Sequence, residues 1–204
     1  MAFRIGVLAL QGDFYEHLVA LKKLKVDGVP VRTVSDIEKT SSLIIPGGES
    51  TTISKLLITS GLKNWIIKHA KTGYPIYGTC AGCIILASLG LIDISVKRNA
   101  YGRQQDSFAE LIQSKMFPNL SGVFIRAPII TRIGAGVNVL ATHNDMPVLV
   151  QQNNILAGTF HPELTDKVDV HRYFVTLSAQ SAKRSASLKR VQEVDAPITT
   201  TMIL

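Results

Sequence analysis

The chain has 204 residues, 46% apolar and 18% charged, with 22 Lys and Arg against 15 Asp and Glu for a net charge of +7. This fits one soluble globular domain with a sizeable core and excludes a disordered chain; no apolar run reaches the ~18 residues of a membrane span, and the basic residues are scattered, with one local excess (Lys183, Arg184, Lys189, Arg190) lacking interleaved aromatics, so neither a membrane nor a nucleic acid is expected as partner. The only cysteines, Cys80 and Cys83, are too close in sequence to staple loops, which points to a reducing, cytoplasmic compartment, and the chain leads straight into a strand-like run with no leader expected.

Residues 4–10 form a short, β-branched apolar run that reads as a buried strand, broken by Gln11-Gly12. Phe14, Leu18, Leu21 and Leu24 then recur at helical spacing, with Asp13 in the first turn. Strands are expected over 29–34, 42–45 and 75–77, with two helical stripes (Ile53, Leu56, Leu57 and Leu62, Trp65, Ile66) between the last two, and a helix over 81–89. Apolar strands alternating with amphipathic helices predict a three-layer α/β fold, a mostly parallel, flavodoxin-like sheet covered by helices on both faces. After Leu89, candidate strands at 92–96, 122–125, 137–141, 148–151 and 155–159 have short polar connections, so antiparallel pairs are expected to be added to the sheet in the second half. Asn153-Asn154 suits a tight turn between two of them. Val170, Phe174 and Leu177 predict a last packed helix; the apolar period fades near Ser181, so one domain over 1–180 and a partly disordered tail over 181–204 are expected.

Gly78-Thr79-Cys80-Ala81-Gly82 lies where an apolar run gives way to a helical one, the strand–turn–helix setting of a nucleophile elbow. Flanking glycines permit a backbone too tight for residues carrying a Cβ, and a thiol at a helix N-terminus meets the positive end of the dipole. Taken singly, this cysteine reads as a core residue, cysteine being among the most buried types. Pro46-Gly47-Gly48-Glu49-Ser50 follows another strand. Its two glycines suit an oxyanion hole, with the N–H of Ala81 beside the nucleophile; a plain βα turn in which Ser50 caps the next helix accounts for the same residues. In Thr159-Phe160-His161-Pro162-Glu163, an extended backbone puts His161 and Glu163 on one face, as a base and the carboxylate that orients it. All three motifs follow expected strands, where ligands of open α/β sheets bind.

PGGES (46–50), GTCAG (78–82) and FHPEL (160–164) resemble the triad class of glutamine amidotransferase domains. GVLALQGDFYEH (6–17), PGGESTT (46–52), RNAYGRQQDSF (98–108) and FIRAP (124–128) narrow the resemblance to the glutaminase subunits of pyridoxal 5′-phosphate synthase complexes, over about residues 5–174. The resemblance implies a glutaminase in which Cys80 attacks the side-chain amide of L-glutamine and forms a γ-glutamyl thioester. His161 moves the protons and Glu163 orients it. Backbone N–H groups of Gly47, Gly48 and Ala81 would hold the oxyanion, and Gln11 would support that loop. Gly47, Gly48, Glu49, Arg98, Ile125 and Arg126 would line the glutamine site, an arginine suiting the α-carboxylate and Glu49 the α-ammonium. No cofactor or metal is implied. The implied partner is a barrel-shaped synthase subunit, in a large hetero-oligomer, that takes the ammonia for vitamin B6 synthesis. Between Leu89 and Arg98 the chain is shorter than the family pattern, and Cys83 stands where an aliphatic residue is expected.

Two other readings fit part of the chain. Cys80-Ala81-Gly82-Cys83 is a Cys-x-x-Cys at a strand–helix junction, the context of a thioredoxin-like dithiol oxidoreductase. It leaves the other motifs unused. A catalytically silent regulatory partner of the same fold is the second, opposed by the complete Cys-His-Glu set. A zinc site lacks a second ligand pair at suitable spacing.

Overall fold

A computed structural model of the chain describes residues 3–98 and 108–194. Of the RNAYGRQQDSF segment, residues 99–107 therefore lie outside the described residues. The first half alternates β1 (Ile5–Leu8), α1 (Phe14–Lys23), β2 (Gly28–Val31), α2 (Val34–Ile37), β3 (Ser42–Ile45), α3 (Ser50–Thr59), α4 (Leu62–Ala70), β4 (Ile76–Thr79) and α5 (Ala81–Ser88). The second half has β5 (Ile94–Lys97), β6 (Phe108–Leu111), β7 (Ser121–Phe124), β8 (Ile129–Ile133), β9 (Asn138–His143), β10 (Met146–Gln152), β11 (Ile155–Gly158) and α6 (Asp169–Val194).

Seven strands form the main sheet in the order β2-β1-β3-β4-β11-β10-β9. The first five are parallel, and β10 and β9 extend the edge antiparallel. This is the doubly wound order of a flavodoxin-like fold, as the sequence predicts. Side chains alternate across the pleat into two cores. Leu8, Leu43, Ile45, Ile76 and Ala157 pack with Ile53 and Leu57 of α3, Ile66 of α4 and Leu86 of α5. Val7, Ile44, Tyr77 and Leu156 point the other way, onto Leu21 of α1 and Phe174 of α6. Runs that looked uniformly apolar are thus period-two strands serving both faces.

Three differences from the sequence reading have physical causes. The run expected as a strand over 29–34 stops at Val31, because Thr33 opens a capping box. Its hydroxyl accepts from the Asp36 N–H at 3.2 Å while the Asp36 carboxylate accepts from the Thr33 N–H at 2.9 Å, which starts the one-turn α2. The strands β6 and β8 were not foreseen; β6 pairs β7, and β8 pairs β5, as two separate two-stranded sheets rather than as additions to the main one. Finally, α6 continues past Ser181 to Val194. Ser181 is buried and Lys183 to Ser187 are exposed, so the fading apolar period marks the end of packing and not the end of the helix. Among the described residues, no helix is long and apolar enough to cross a membrane.

Candidate active site

Four loops leave the carboxyl ends of β1, β3, β4 and β11 and meet above the sheet. The turn after β4 carries Cys80 with φ 46° and ψ −101°, immediately before the first residue of α5. The strained backbone therefore belongs to the cysteine itself, and the two glycines of the motif serve close packing. A Cβ on Gly82 would lie 2.1 Å from the Ile45 carbonyl oxygen, and one on Gly78 would lie 2.5 Å from the Gly82 carbonyl carbon. Without those side chains α5 settles onto β3 and β4, and the Cys80 N–H donates to the Gly158 carbonyl at 2.8 Å.

His161 stands just beyond β11, its N–H donating to the Val123 carbonyl of β7 at 2.8 Å. Pro162–Leu164 is a 3-10 turn, so a tight turn, rather than the extended segment expected, brings Glu163 back to the imidazole. Proline supplies the fixed φ that such a first turn needs. Nδ1 of His161 lies 2.8 Å from Oε1 of Glu163, and both side chains are almost wholly buried. Cys80 and His161 line the same cavity, close enough for the sulfur to act on the imidazole. Burial works against a charged His161, but the contacts with Cys80 and then Glu163 outweigh it and push the imidazole up to about 10. Burial likewise opposes a charged Glu163, yet the His17 and His161 rings hold its carboxyl well below the usual range. A thiol, an imidazole and an ionised carboxylate thus stand in sequence, the arrangement of an activated nucleophile with its oriented base.

The Gly47-Gly48 loop is held from behind by Gln11, whose Oε1 accepts from the Glu49 N–H at 2.8 Å. The Gly47 carbonyl also accepts from the Asp13 N–H at 3.2 Å. Gly47 runs against the imidazole: a Cβ there would sit 2.2 Å from Cε1 of His161. The cap of α3 is Glu49 rather than Ser50, its carboxylate reaching the Thr51 N–H at 3.3 Å and the Thr51 hydroxyl at 2.9 Å. Arg98 meets the same oxygen at 3.3 Å. The hydroxyl and N–H of Thr51 hold the Glu49 carboxyl below its ordinary value despite slight desolvation, with Arg98 and Arg126 adding to the effect.

These groups surround a cavity of about 290 Å³, near the lower end of the range for small-molecule sites. Cys80, Ala81 and His161 form its floor, with Gly48, Glu49, Arg98, Ile125 and Arg126 around it. Arg126, like Cys80, takes a positive φ, 45°. Its neighbour Ile125 turns its carbonyl to within 3.9 Å of the Cys80 sulfur. Of the residues singled out from sequence, Gly47, Gln11 and Glu163 lie behind the cavity wall as supports. The sequence reading missed Asp13, Ser50 and Ile84, which also line the cavity. Asp13 precedes α1 without capping it; Oδ2 instead lies 3.4 Å from Nδ1 of His161. Burial, ahead of an opposing pull from His161, raises the Asp13 carboxyl. Asp13, His161 and Glu163 bring one possible ligand atom each within 4.8 Å of one another. Both carboxylates face the same imidazole nitrogen, Glu163 through a hydrogen bond and Asp13 at ion-pair distance. Cys83, by contrast, is fully buried in the α3–α5 core, and burial followed by Cys80 pushes its thiol up to about 12. A dithiol pair has no accessible second sulfur here.

The model of the SNO glutamine amidotransferase family matches residues 7–180. The chain belongs to that family. Among the curated relatives of this amidotransferase is a protein of Pseudothermotoga lettingae named pyridoxal 5′-phosphate synthase subunit PdxT, 50% identical over 188 residues that cover 85% of this chain and 95% of that one. A protein of the same name from Thermus thermophilus is 48% identical over 185 residues, 85% of this chain and 97% of its own. A solved glutamine amidotransferase superposes with a TM-score of 0.82 at 46% identity, covering 86% of this chain and 98% of its own. Another, from Thermotoga maritima, keeps the fold at 13% identity, with a TM-score of 0.60 over 91% of this chain and 86% of its own. Family membership makes the chain a glutaminase, an enzyme that hydrolyses glutamine to release ammonia, and overturns both the dithiol and the silent-partner readings.

Proposed function

We propose that this amidotransferase releases ammonia from L-glutamine through a Cys80–His161–Glu163 triad and passes it to a barrel-shaped pyridoxal 5′-phosphate synthase subunit in a large cytoplasmic hetero-oligomer. The observation that carries the reading is the meeting of Cys80, His161 and Glu163 beside one small cavity. Names of relatives that align along nearly their whole length support the partner.

The Cys80 thiol gives its proton to Nε2 of His161 and its sulfur attacks the side-chain carbonyl carbon of glutamine, and the oxyanion that forms rests against N–H groups of Ala81 and the Gly47-Gly48 loop. Collapse breaks the C–N bond; His161 delivers its Nε2 proton to the leaving nitrogen, and ammonia departs. Water then attacks the γ-glutamyl thioester, giving a proton to His161, and the C–S bond breaks to return glutamate and the Cys80 thiol. Glu163 keeps Nδ1–H of His161 turned away from the reaction throughout. Arg98 or Arg126 pairs with the substrate α-carboxylate, and Glu49 receives the α-ammonium, exchanging part of its contact with Arg98.

The test is glutamate release by the chain with and without the synthase subunit. The complete complex should hydrolyse glutamine, and Cys80→Ala should abolish this while leaving pyridoxal 5′-phosphate formation from added ammonium salt intact. Unchanged glutamate release by Cys80→Ala would refute the triad.

A further inference from the structure

Behind the triad lies a second polar chain that the reaction scheme leaves unused. His17 of α1 and His171 of α6 are fully buried on the face of the sheet opposite α5, in an otherwise apolar cluster. Nδ1 of His17 lies 2.9 Å from Nε2 of His171. On its other side, Nε2 of His17 lies 3.1 Å from the Thr79 hydroxyl and 3.4 Å from Oε1 of Glu163. The Glu163 oxygen reached is the one His161 uses. Tyr77 packs edge-on against both rings and closes the space around them.

We propose that His17 is a positioning residue of the triad, with His171 fixing its tautomer. This rests on the triad reading above. Nδ1 of His171 is buried and has no hydrogen-bond partner among the described residues. A hydrogen there would be an orphaned buried donor, an arrangement folded proteins almost never keep, whereas an unshared lone pair is tolerated better. His171 therefore carries its hydrogen on Nε2 and donates it to Nδ1 of His17. His17 in turn carries its hydrogen on Nε2, aimed at Glu163 and Thr79. Burial, reinforced by the neighbouring His17, lowers His171 to about 3, in keeping with an uncharged ring in the chain. Oε1 of Glu163 is then held by donors from front and rear, His161 and His17. The rear donor fixes the carboxylate ionised and in place, so the imidazole that serves Cys80 has one orientation. His17 and His171 come from α1 and α6 on one face of the sheet, which ties the seating of these helices to the base.

Two measurements test this. In the intact protein, ¹⁵N–¹H correlation of the histidine rings should find His17 and His171 each protonated at Nε2 and bare at Nδ1; hydrogen at Nδ1 of His17 overturns the proposal without any variant being made. In the complex with the synthase, His17→Leu should lower kcat for glutamine hydrolysis by about 10- to 100-fold, the size of losing one hydrogen bond to an ionised group, with KM within about twofold because His17 does not touch the cavity. His17→Gln, which can still place an N–H near Glu163, should recover most of that loss. A His17→Leu enzyme of normal kcat, or one impaired through KM alone, refutes the proposal. Equal impairment of the leucine and glutamine variants does so too. Loss of activity in Cys80→Ala is independent of these outcomes and reports on the triad itself.

Discussion

Gly47 is where the backbone presses most closely on His161, the proposed base, and Gly47→Ala separates that contact from general stability. A methyl group at this site would fall 2.2 Å from Cε1 and 2.9 Å from Nδ1 of His161, and 3.1 Å from Oδ2 of Asp13. Contact at ordinary van der Waals distance needs the imidazole to retreat by ~1 Å, and a displacement of that size costs about 100-fold in rate. The ring cannot simply swing aside, because Nδ1 is held at 2.8 Å by Glu163 and the side chain is buried. Overpacking of this kind costs roughly 1–3 kcal/mol, or about 2–12 °C in Tm for a domain of this length. The expected result is a kcat for glutamate release about 100-fold below the parent in the presence of the synthase, with a folded protein of modestly lower Tm. Gly90→Ala serves as the control: Gly90 has a positive φ, 65°, which strains an alanine, but no atom lies within 4 Å of the added methyl. It should lower Tm by a similar amount and leave kcat unchanged. A Gly47→Ala enzyme within threefold of parental kcat would refute the idea that this loop sets the position of the base.

Three further outcomes follow from the same geometry. Iodoacetamide applied to the native protein at pH 8 should label Cys80 alone, since burial pushes the Cys83 thiol up to about 12; mass spectrometry finding both thiols labelled before unfolding would contradict this. Arg98→Ala should raise KM for glutamine by about 10-fold or more at nearly constant kcat, the pattern of lost ground-state binding, and a fall in kcat at unchanged KM would remove Arg98 from the substrate. The raised His161 adds a pH signature: its contribution to stability is complete below the unfolded value near 6.5 and is lost as pH rises through about 10. Denaturant titrations should therefore find the stability gap between parent and His161→Gln shrinking by up to ~1.4 kcal/mol per pH unit across that window, and a gap that does not change with pH would refute the assignment.

The first half of the fold was legible because its elements carry their own signals. Leu21 in α1, Ile53 and Leu57 in α3, and Ile66 in α4 repeat at helical spacing, and each of these side chains is buried. The capping box of Thr33 and Asp36 was equally local but hidden inside a β-branched run, where strand propensity spoke louder. The second half was harder for a different reason. Partners such as Ile94 and Ile133, or Val123 and His161, are far apart in sequence, and neither residue of such a pair announces the other. The carboxyl ends of β3, β4 and β11 could be recognised; which hairpin would fold over them could not.

The site divides along the same line. Cys80, the Gly47-Gly48 loop and the His161-Glu163 pair lie at strand ends, where the chain's punctuation exposes them. Their supports join distant segments: Gln11 to the Glu49 N–H, His17 to Thr79, and His171 to His17. The excursion through β6 and β7 brings the most consequential of these junctions. A bridge between Val123 and His161 fastens β7 to the segment carrying the base, and only two residues beyond Val123 the chain offers Ile125 and then Arg126 to the cavity. The group proposed to grip substrate and the group proposed to move its protons therefore hang from one pair of backbone hydrogen bonds. That shared anchor fixes the spacing between Arg126 and the imidazole. It also explains the strain at Arg126, whose positive φ turns the chain back over Cys80 immediately after the strand ends.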